Sequence, residues 1–395
     1  MSRFFVFIAV TLSLLAGIHY YLWARLIRDP RWRPPWITVG GTLLSLLAAS
    51  VPLALILGRG HGDFRRSFVW AGYVWLGVMF LLFTVVVSSD LLRVLAAIAR
   101  RVAAGQPLDP ERRTLLARLT AGVTGVLVTG LATTALRSVR KPVEVTRVRV
   151  RLDRLPRSQD GFRIVQLTDI HVGPMIGRAF VEEIVGRANA LAPDLIALTG
   201  DLVDGTVEQL SDAIAPLATL RAGRGVYFVT GNHEYFSGAE AWLKELNRLG
   251  IRVLRNERVS IDNGSVGFDL AGVDDRSAVH YGGLAPQDAL QRALLDRDAR
   301  RELVLLAHQP RTLLDAEQFG VGLQLSGHTH GGQMWPFNFV VGLQQPFVAG
   351  LHRRQGAQIY VSRGTGYWGP PMRLGAPAEI TEIRLESGSS DSTLG

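Results

Sequence analysis

At 395 residues the chain is long enough for two or three domains, and a hydrophobic content of 48% excludes a disordered polar polymer. The formal net charge is +9, and only Lys141 and Lys244 are lysine, so the excess is arginine; much of it lies beside apolar segments, which fits anionic headgroups better than a nucleic-acid face. Cysteine is absent, so disulfides and thiolate metal sites are excluded.

Residues 4–27, 37–58 and 67–89 are apolar runs close to the roughly 20 residues that a bilayer core demands of a helix, and 119–136 is a shorter, weaker fourth. The spans predict a multi-pass membrane region over residues 1–140 with about four helices. His19 sits inside the first span and reads as a helix-packing residue. No small-residue cleavage site follows that span, so it is expected to be retained. More Arg and Lys flank the ends of spans one and three than the opposite ends, which places that side in the cytoplasm. The paired Arg112 and Arg113 ahead of "TLLARLTAGVTGVLVTG" resemble a twin-arginine export signal and lean the same way. Both features predict a cell-membrane protein whose remaining domain is extracytoplasmic.

After residue 140 the texture changes. "VEVTRVRVRLDRLP" alternates like an amphipathic strand, and the apolar runs FRIVQLTD, DLIALTGD, GVYFVTGN, ELVLLAH and GLQLSGH read as buried strands. Helical patterns occupy 178–191, 207–220 and 239–249. "IRVLRNERVSID" and "SVGFDLAGVDD" read as consecutive antiparallel strands, and so do "AQIYVSRG" and "EITEIRLE". The pattern predicts an α/β domain with layered sheets over 141–386, and the polar end, 387–395, reads as a disordered tail.

The buried strands end on metal-binding side chains: Asp169 and His171 in "TDIH", Asp201 in "TGDLVD", Asn232 in "TGNHE", His308 in "LAHQP", and His328 and His330 in "SGHTH". Ligands of open α/β sheets gather at such strand ends. Each fragment alone is commonplace; five in order are not. Mixed Asp, Asn and His donors suit two divalent ions of the Mn, Fe or Zn type better than Mg or Ca. His61, His280 and His352 fall outside the pattern and read as surface or loop residues.

These motifs, D-x-H, G-D-x-x-D, G-N-H followed by Glu, a separate His and G-H-x-H, resemble the ordered signature of the calcineurin-like metallophosphoesterases, from about residue 160 to about residue 385. Within that superfamily the segment "SRGTGYWGPPMRLGAPAEIT" is similar to bacterial membrane-linked phosphodiesterase-like members. The resemblance implies a β-sandwich flanked by helices in α/β/β/α layers. It also implies that Asp169, His171 and His330 hold one metal, that Asn232, His308 and His328 hold the second, and that Asp201 bridges them. Two cations about 3.5 to 4 Å apart lower the pKa of a shared water and neutralise charge in an in-line displacement at phosphorus. His233, next to Asn232, is the candidate general acid. Asp204 resembles the carboxylate that orients it, the alternative being a cap for the 207–220 helix.

Asp204 is followed by Gly205, where phosphoprotein phosphatases of the superfamily carry Arg; a phosphoprotein substrate is therefore not expected. Arg363 and Arg373 are read either as positive charge near the site or as solvated surface. The apolar stretch 334–352 is either core and sheet edge or a hydrophobic lip for the membrane interface or acyl chains. Tethering to a bilayer suggests a lipid or lipid-linked phosphoester as substrate. The competing readings are a non-catalytic membrane receptor, and a transporter, which the scarcity of ionisable residues in the spans disfavours.

Overall fold

The computed structural model describes residues 2–57, 63–102, 109–262 and 266–388. The chain divides into two compact units, Met1–Ser138 with Gly369–Met372, and Val139–Trp368 with Arg373–Gly395.

Unit one is helical. α1 (Ser2–Trp23) runs on through a π turn at Ala24–Arg28 and is followed by α2 (Pro34–Leu57), α3 (Asp63–Val102) and α4 (Pro110–Ser138). All four are long and apolar enough to cross a membrane, and at most 28% of any apolar window is buried, so faces of bilayer length turn outward. The fourth span, short in the sequence pattern, sits within a helix of 29 residues. His19 has the packing role expected of it: its Nδ1 donates to the Leu15 carbonyl at 2.8 Å and its Nε2 accepts from Trp75 Nε1 at 3.1 Å, tying α1 to α3. Asp90 lies inside α3, beyond the third predicted span, and is paired: Tyr21 donates to it at 2.7 Å and Arg25 lies at 2.7 Å.

Unit two is built on twelve strands among the described residues. They are β1 (Glu144–Leu152), β2 (Arg163–Leu167), β3 (Leu195–Leu198), β4 (Val226–Phe228), β5 (Arg252–Val253), β6 (Glu257–Asp262), β7 (Gly267–Gly272), β8 (Leu303–Leu306), β9 (Leu323–Ser326), β10 (Gly350–Arg354), β11 (Ala357–Val361) and β12 (Glu379–Ser387). They form two six-stranded sheets, β1-β12-β2-β3-β4-β5 and β10-β11-β9-β8-β7-β6. The sheets meet through one apolar layer that includes Ile164, Leu195, Phe268, Val304 and Leu325. Outside the first sheet pack α5 (Arg178–Ala190), α6 (Val207–Ile214) and, after a short α7 (Asn232–Ser237) whose Tyr235 packs with Ala239 and Ala278, α8 (Ala239–Arg248); outside the second pack α9 (Pro286–Ala293) and α10 (Thr312–Ala316). The order of layers is α/β/β/α, as the resemblance implied.

Two strand expectations are corrected. β11 and β12 do not pair: β11 lies between β9 and β10 in the second sheet, whereas β12 lies between β1 and β2 in the first. Both are apolar runs, and the choice of partner is made by the sandwich rather than by nearness in the chain. Likewise "IRV" supplies β5 of the first sheet, parallel to β4, and only β6 and β7 form the antiparallel pair. The helix expected over 207–220 stops at Ile214, and a 3₁₀ turn, Ala215–Thr219, follows at Pro216. β12 extends through Ser387; residues 389–395 of the tail and His61 lie outside the described residues. His280 is exposed, and the half-buried His352 donates to the Ala349 carbonyl at 2.9 Å.

Candidate metal centre

Short loops after β2, β3, β4, β8 and β9 bring the predicted donors together. Asp169 and His171 follow β2, Asp201 follows β3, Asn232 and His233 follow β4, His308 follows β8, and His328 and His330 follow β9. Three overlapping donor groups result: Asp169 with His171 and His330, Asp201 with His308 and His328, and His171 with Asp201 and His233. Asp201 Oδ2 lies 3.1 Å from His308 Nε2 in its own group and 3.9 Å from His171 Nε2 in the first.

The tautomers are set by fixed acceptors. His308 Nδ1 donates to the Thr199 carbonyl at 2.7 Å, which turns Nε2 inward. His171 Nδ1 and His233 Nδ1 both donate to Asp204 Oδ1, at 3.1 and 2.6 Å. Asp204 therefore orients two histidines, one more than the sequence suggested, and it is not a helix cap; Thr206 caps α6. Ring nitrogens then face one another, His171 Nε2 to His330 Nε2 at 3.1 Å and His308 Nε2 to His328 Nδ1 at 3.2 Å. Lone pairs set that close require a cation or a proton between them. Asn232 Oδ1 is buried with no protein partner, and His233 N on its C-terminal side donates to Asp201 at 2.9 Å. An orphaned carbonyl oxygen costs about 1–3 kcal/mol, which a metal bond would recover. The residues fit two divalent cations.

Charge follows the same logic. Burial would raise the Asp201 carboxyl, but His308 and His233 hold it well below the usual range. Burial pulls His308 down, yet Asp201 lifts it well above its ordinary value. His233 is pulled down by burial but held up at about 9 by Asp201 and Asp204. Burial and the neighbouring His308 depress His328 to about 4, and burial and His171 hold His330 well below its ordinary value. His328 and His330 are thereby kept neutral beside a charged carboxylate, the state that metal ligation requires, whereas His308 would give up its proton to serve as a ligand.

The backbone is strained at the same positions. Asp169, His171, Asp201, His328 and His330 all have φ between 51° and 70°, the left-handed region that non-glycine residues avoid. The loops are over-determined by Asp169 N to Gly200 O at 3.0 Å, His171 N to Asp201 O at 3.1 Å and His328 N to Asp169 Oδ1 at 2.9 Å. Gly200 has φ +90°, and a Cβ there would lie 2.8 Å from His308 Nδ1, so only glycine serves.

Glu234 received no role from the sequence. It is fully buried, and its carboxylate accepts from Gly231 N at 2.6 Å, Asp201 N at 3.0 Å and Leu202 N at 2.7 Å, lashing the β3 loop to α7. Burial and Asp201 push its pKa up to about 7 against those amides. A glycine three residues before a Glu is half of a capping-box pattern and was the available signal. Glu234→Ala is expected to destabilise the protein by about 3 kcal/mol through lost charge-assisted bonds, and to loosen metal retention, measured by thermal unfolding and metal content.

Arg373 is not solvated surface. The residue is 1% exposed, and its guanidinium donates to the carbonyls of Gly366, Ala376 and Arg363 at 2.6 to 2.9 Å, fastening the loop that carries Trp368. Arg363 pairs with Glu379 at 2.8 Å. Phe236 and Trp368 meet the His233 ring edge-on at 5.3 and 5.6 Å, though each is more than half exposed.

Residues 162–332 match the family model described as calcineurin-like phosphoesterase. A metallophosphoesterase of Aquifex aeolicus is 34% identical over 247 residues, 62% of this chain and 92% of that one. The chain belongs to the calcineurin-like phosphoesterase family. A bovine (Bos taurus) family member described as a transmembrane protein with a metallophosphoesterase domain is 40% identical over 296 residues, 72% of this chain and 66% of its own length. A metallophosphoesterase of Helicobacter pylori is 41% identical over 236 residues, 59% of this chain and 61% of that one. The chain thus spans just under two thirds of the length of these last two relatives, and the similarity is not confined to bacteria. A family centre of this kind is expected to gain stability from its ions. At free metal a hundredfold above the dissociation constant the gain is about 2.7 kcal/mol, so chelation should lower the melting temperature of the detergent-purified protein and Mn²⁺ should restore it.

Proposed function

We propose that the chain is a membrane-anchored, two-metal phosphohydrolase that cleaves phosphodiesters. The observation that carries the reading is a chain of three overlapping donor groups, two of which share the buried Asp201 and two of which share His171. Asp169, His171 and His330 would hold one divalent cation of the Mn, Fe or Zn type, Asn232, His308 and His328 the other, and Asp201 both. Such ions supply Lewis acidity toward the phosphoryl oxygens and a water of lowered pKa. His233, kept protonated and aimed by Asp204 at 2.6 Å, donates its Nε2 proton to the departing alkoxide. Phe236 and Trp368 wall the side on which that group leaves.

Diester preference has its own support. A monoester carries a second negative charge, yet Gly205 replaces the usual arginine, and both nearby arginines are committed, Arg373 to backbone carbonyls and Arg363 to Glu379. The four apolar helices favour a lipid-linked phosphodiester or pyrophosphate at the cell membrane. The arginine distribution favours an extracytoplasmic catalytic domain. The test is hydrolysis of bis(p-nitrophenyl) phosphate beside p-nitrophenyl phosphate by detergent-purified protein with Mn²⁺. Faster turnover of the diester is expected. No turnover of either compound with two metals bound per chain would favour a ligand-binding receptor.

A further inference from the structure

Between His330 and His352 no residue is ionisable, in a chain of which 19% is charged. The structure decides between the two readings of this stretch, because its middle is not core. Trp335 is 58% exposed, Phe339 66% and Leu343 84%, with Phe337 and Val340 also in solvent. They cluster on and around the short helix α11 (Phe337–Gly342), which has no buried residue.

The exposure is enforced by the ends of the segment. On one side Met334 is buried and Trp335 N donates to Leu374 O at 2.8 Å. On the other, Gln345 is buried and accepts from Arg311 N at 3.2 Å, and Thr329 Oγ1 donates to Val348 O at 2.6 Å. Two fixed ends hold a ridge of aromatic and aliphatic side chains in water, where it has nothing to gain.

We infer that this ridge inserts into the interface of a lipid bilayer carrying anionic headgroups. Three features select that occupant. Tryptophan and phenylalanine with no charge among them are the side chains that settle at the headgroup boundary, some 5–10 Å deep. Arg311 is exposed beside the ridge, and its guanidinium donates to Gln344 O at 2.6 Å, which complements an anionic surface. Finally, only residues 139–143 separate α4 from β1, so a bilayer that holds α4 is covalently close to this unit. The inference rests on the four helices being membrane spans, not on catalysis. The ridge begins at Trp335, close in the chain to the proposed ligand His330, so insertion would bring that part of the chain to the level of amphiphilic esters.

The absence of cysteine makes the test clean. Phe339→Cys and Leu343→Cys, each labelled with an environment-sensitive fluorophore, are reconstituted as full chains in nanodiscs of phosphatidylcholine and phosphatidylglycerol. Leu295→Cys, at a position 67% exposed outside the ridge, is the reference. Quenching is read with nitroxide-bearing acyl chains and with aqueous iodide. Interfacial insertion predicts a lipid-to-iodide quenching ratio at least about threefold above that of the reference. Equal ratios would overturn the inference. Protection from iodide without nitroxide quenching would also overturn it, pointing to a second copy of the chain on the ridge. Co-elution of protein with nanodiscs reports membrane spanning separately, and bis(p-nitrophenyl) phosphate turnover reports the proposed function separately.

Discussion

Asp201→Asn abolishes turnover of bis(p-nitrophenyl) phosphate, by at least about a thousandfold if two-metal stabilisation contributes some 4 kcal/mol, and lowers bound metal from two ions per chain toward one. The substitution preserves volume but removes charge at the atom standing 3.1 Å from His308 Nε2 and 3.9 Å from His171 Nε2. The neighbouring carboxylates are committed elsewhere: Asp169 is turned to His330 and the amide of His328, Asp204 accepts from His171 and His233, and Glu234 is occupied by three backbone amides. The neutral amide also leaves like-charged ions without a counter-charge. Metal content by mass spectrometry and diester hydrolysis are read on the same preparation. Retention of both ions with activity within a few-fold of the parent would remove Asp201 from the bridging role.

The second expectation separates catalysis from ligand binding. His233→Ala keeps both metals but lowers kcat by about 10² to 10⁴, with the smaller loss on nitrophenyl esters, whose leaving group needs little protonation, and the larger on alkyl esters. The geometry behind the difference is the 2.6 Å bond from Nδ1 to Asp204, which leaves Nε2 pointing inward. His233 Nε2 lies 4.0 Å from Asp201 Oδ2, close to the separation of His171 from the same atom, so a role as ligand makes a distinct prediction: metal lost together with activity. Loss of turnover with full metal content identifies the acid. Unchanged turnover on both ester classes would refute that role. A receptor would keep its function in either case.

The sequence was most informative where chemistry and strand ends coincide. Asp169, Asp201, His308 and His328 each follow a run of buried apolar residues, so their order along the chain already implied one shared edge, and the structure gathers them there. The spans were equally legible, because bilayer thickness imposes a length that composition displays. Glu234 was hidden because nothing in its type says that it will accept three backbone amides rather than face solvent. Arg373 left two readings open, charge near the site or solvated surface, and only the structure chooses: it is buried 3.4 Å from His330 Nδ1, and the carbonyls of the 363–376 loop make that burial tolerable.

What the sequence by itself determined was the order of the Asp and His residues at the strand ends and the division between apolar helices and an α/β domain, since these depend on residue type and local periodicity. Tertiary structure alone decided that β11 and β12 belong to different sheets, that Asp204 serves both His171 and His233, and that the uncharged 335–343 ridge faces outward. Strand partners, shared hydrogen bonds and exposure are long-range choices: one apolar pattern satisfies several of them, and only the packing of the two sheets leaves a single solution.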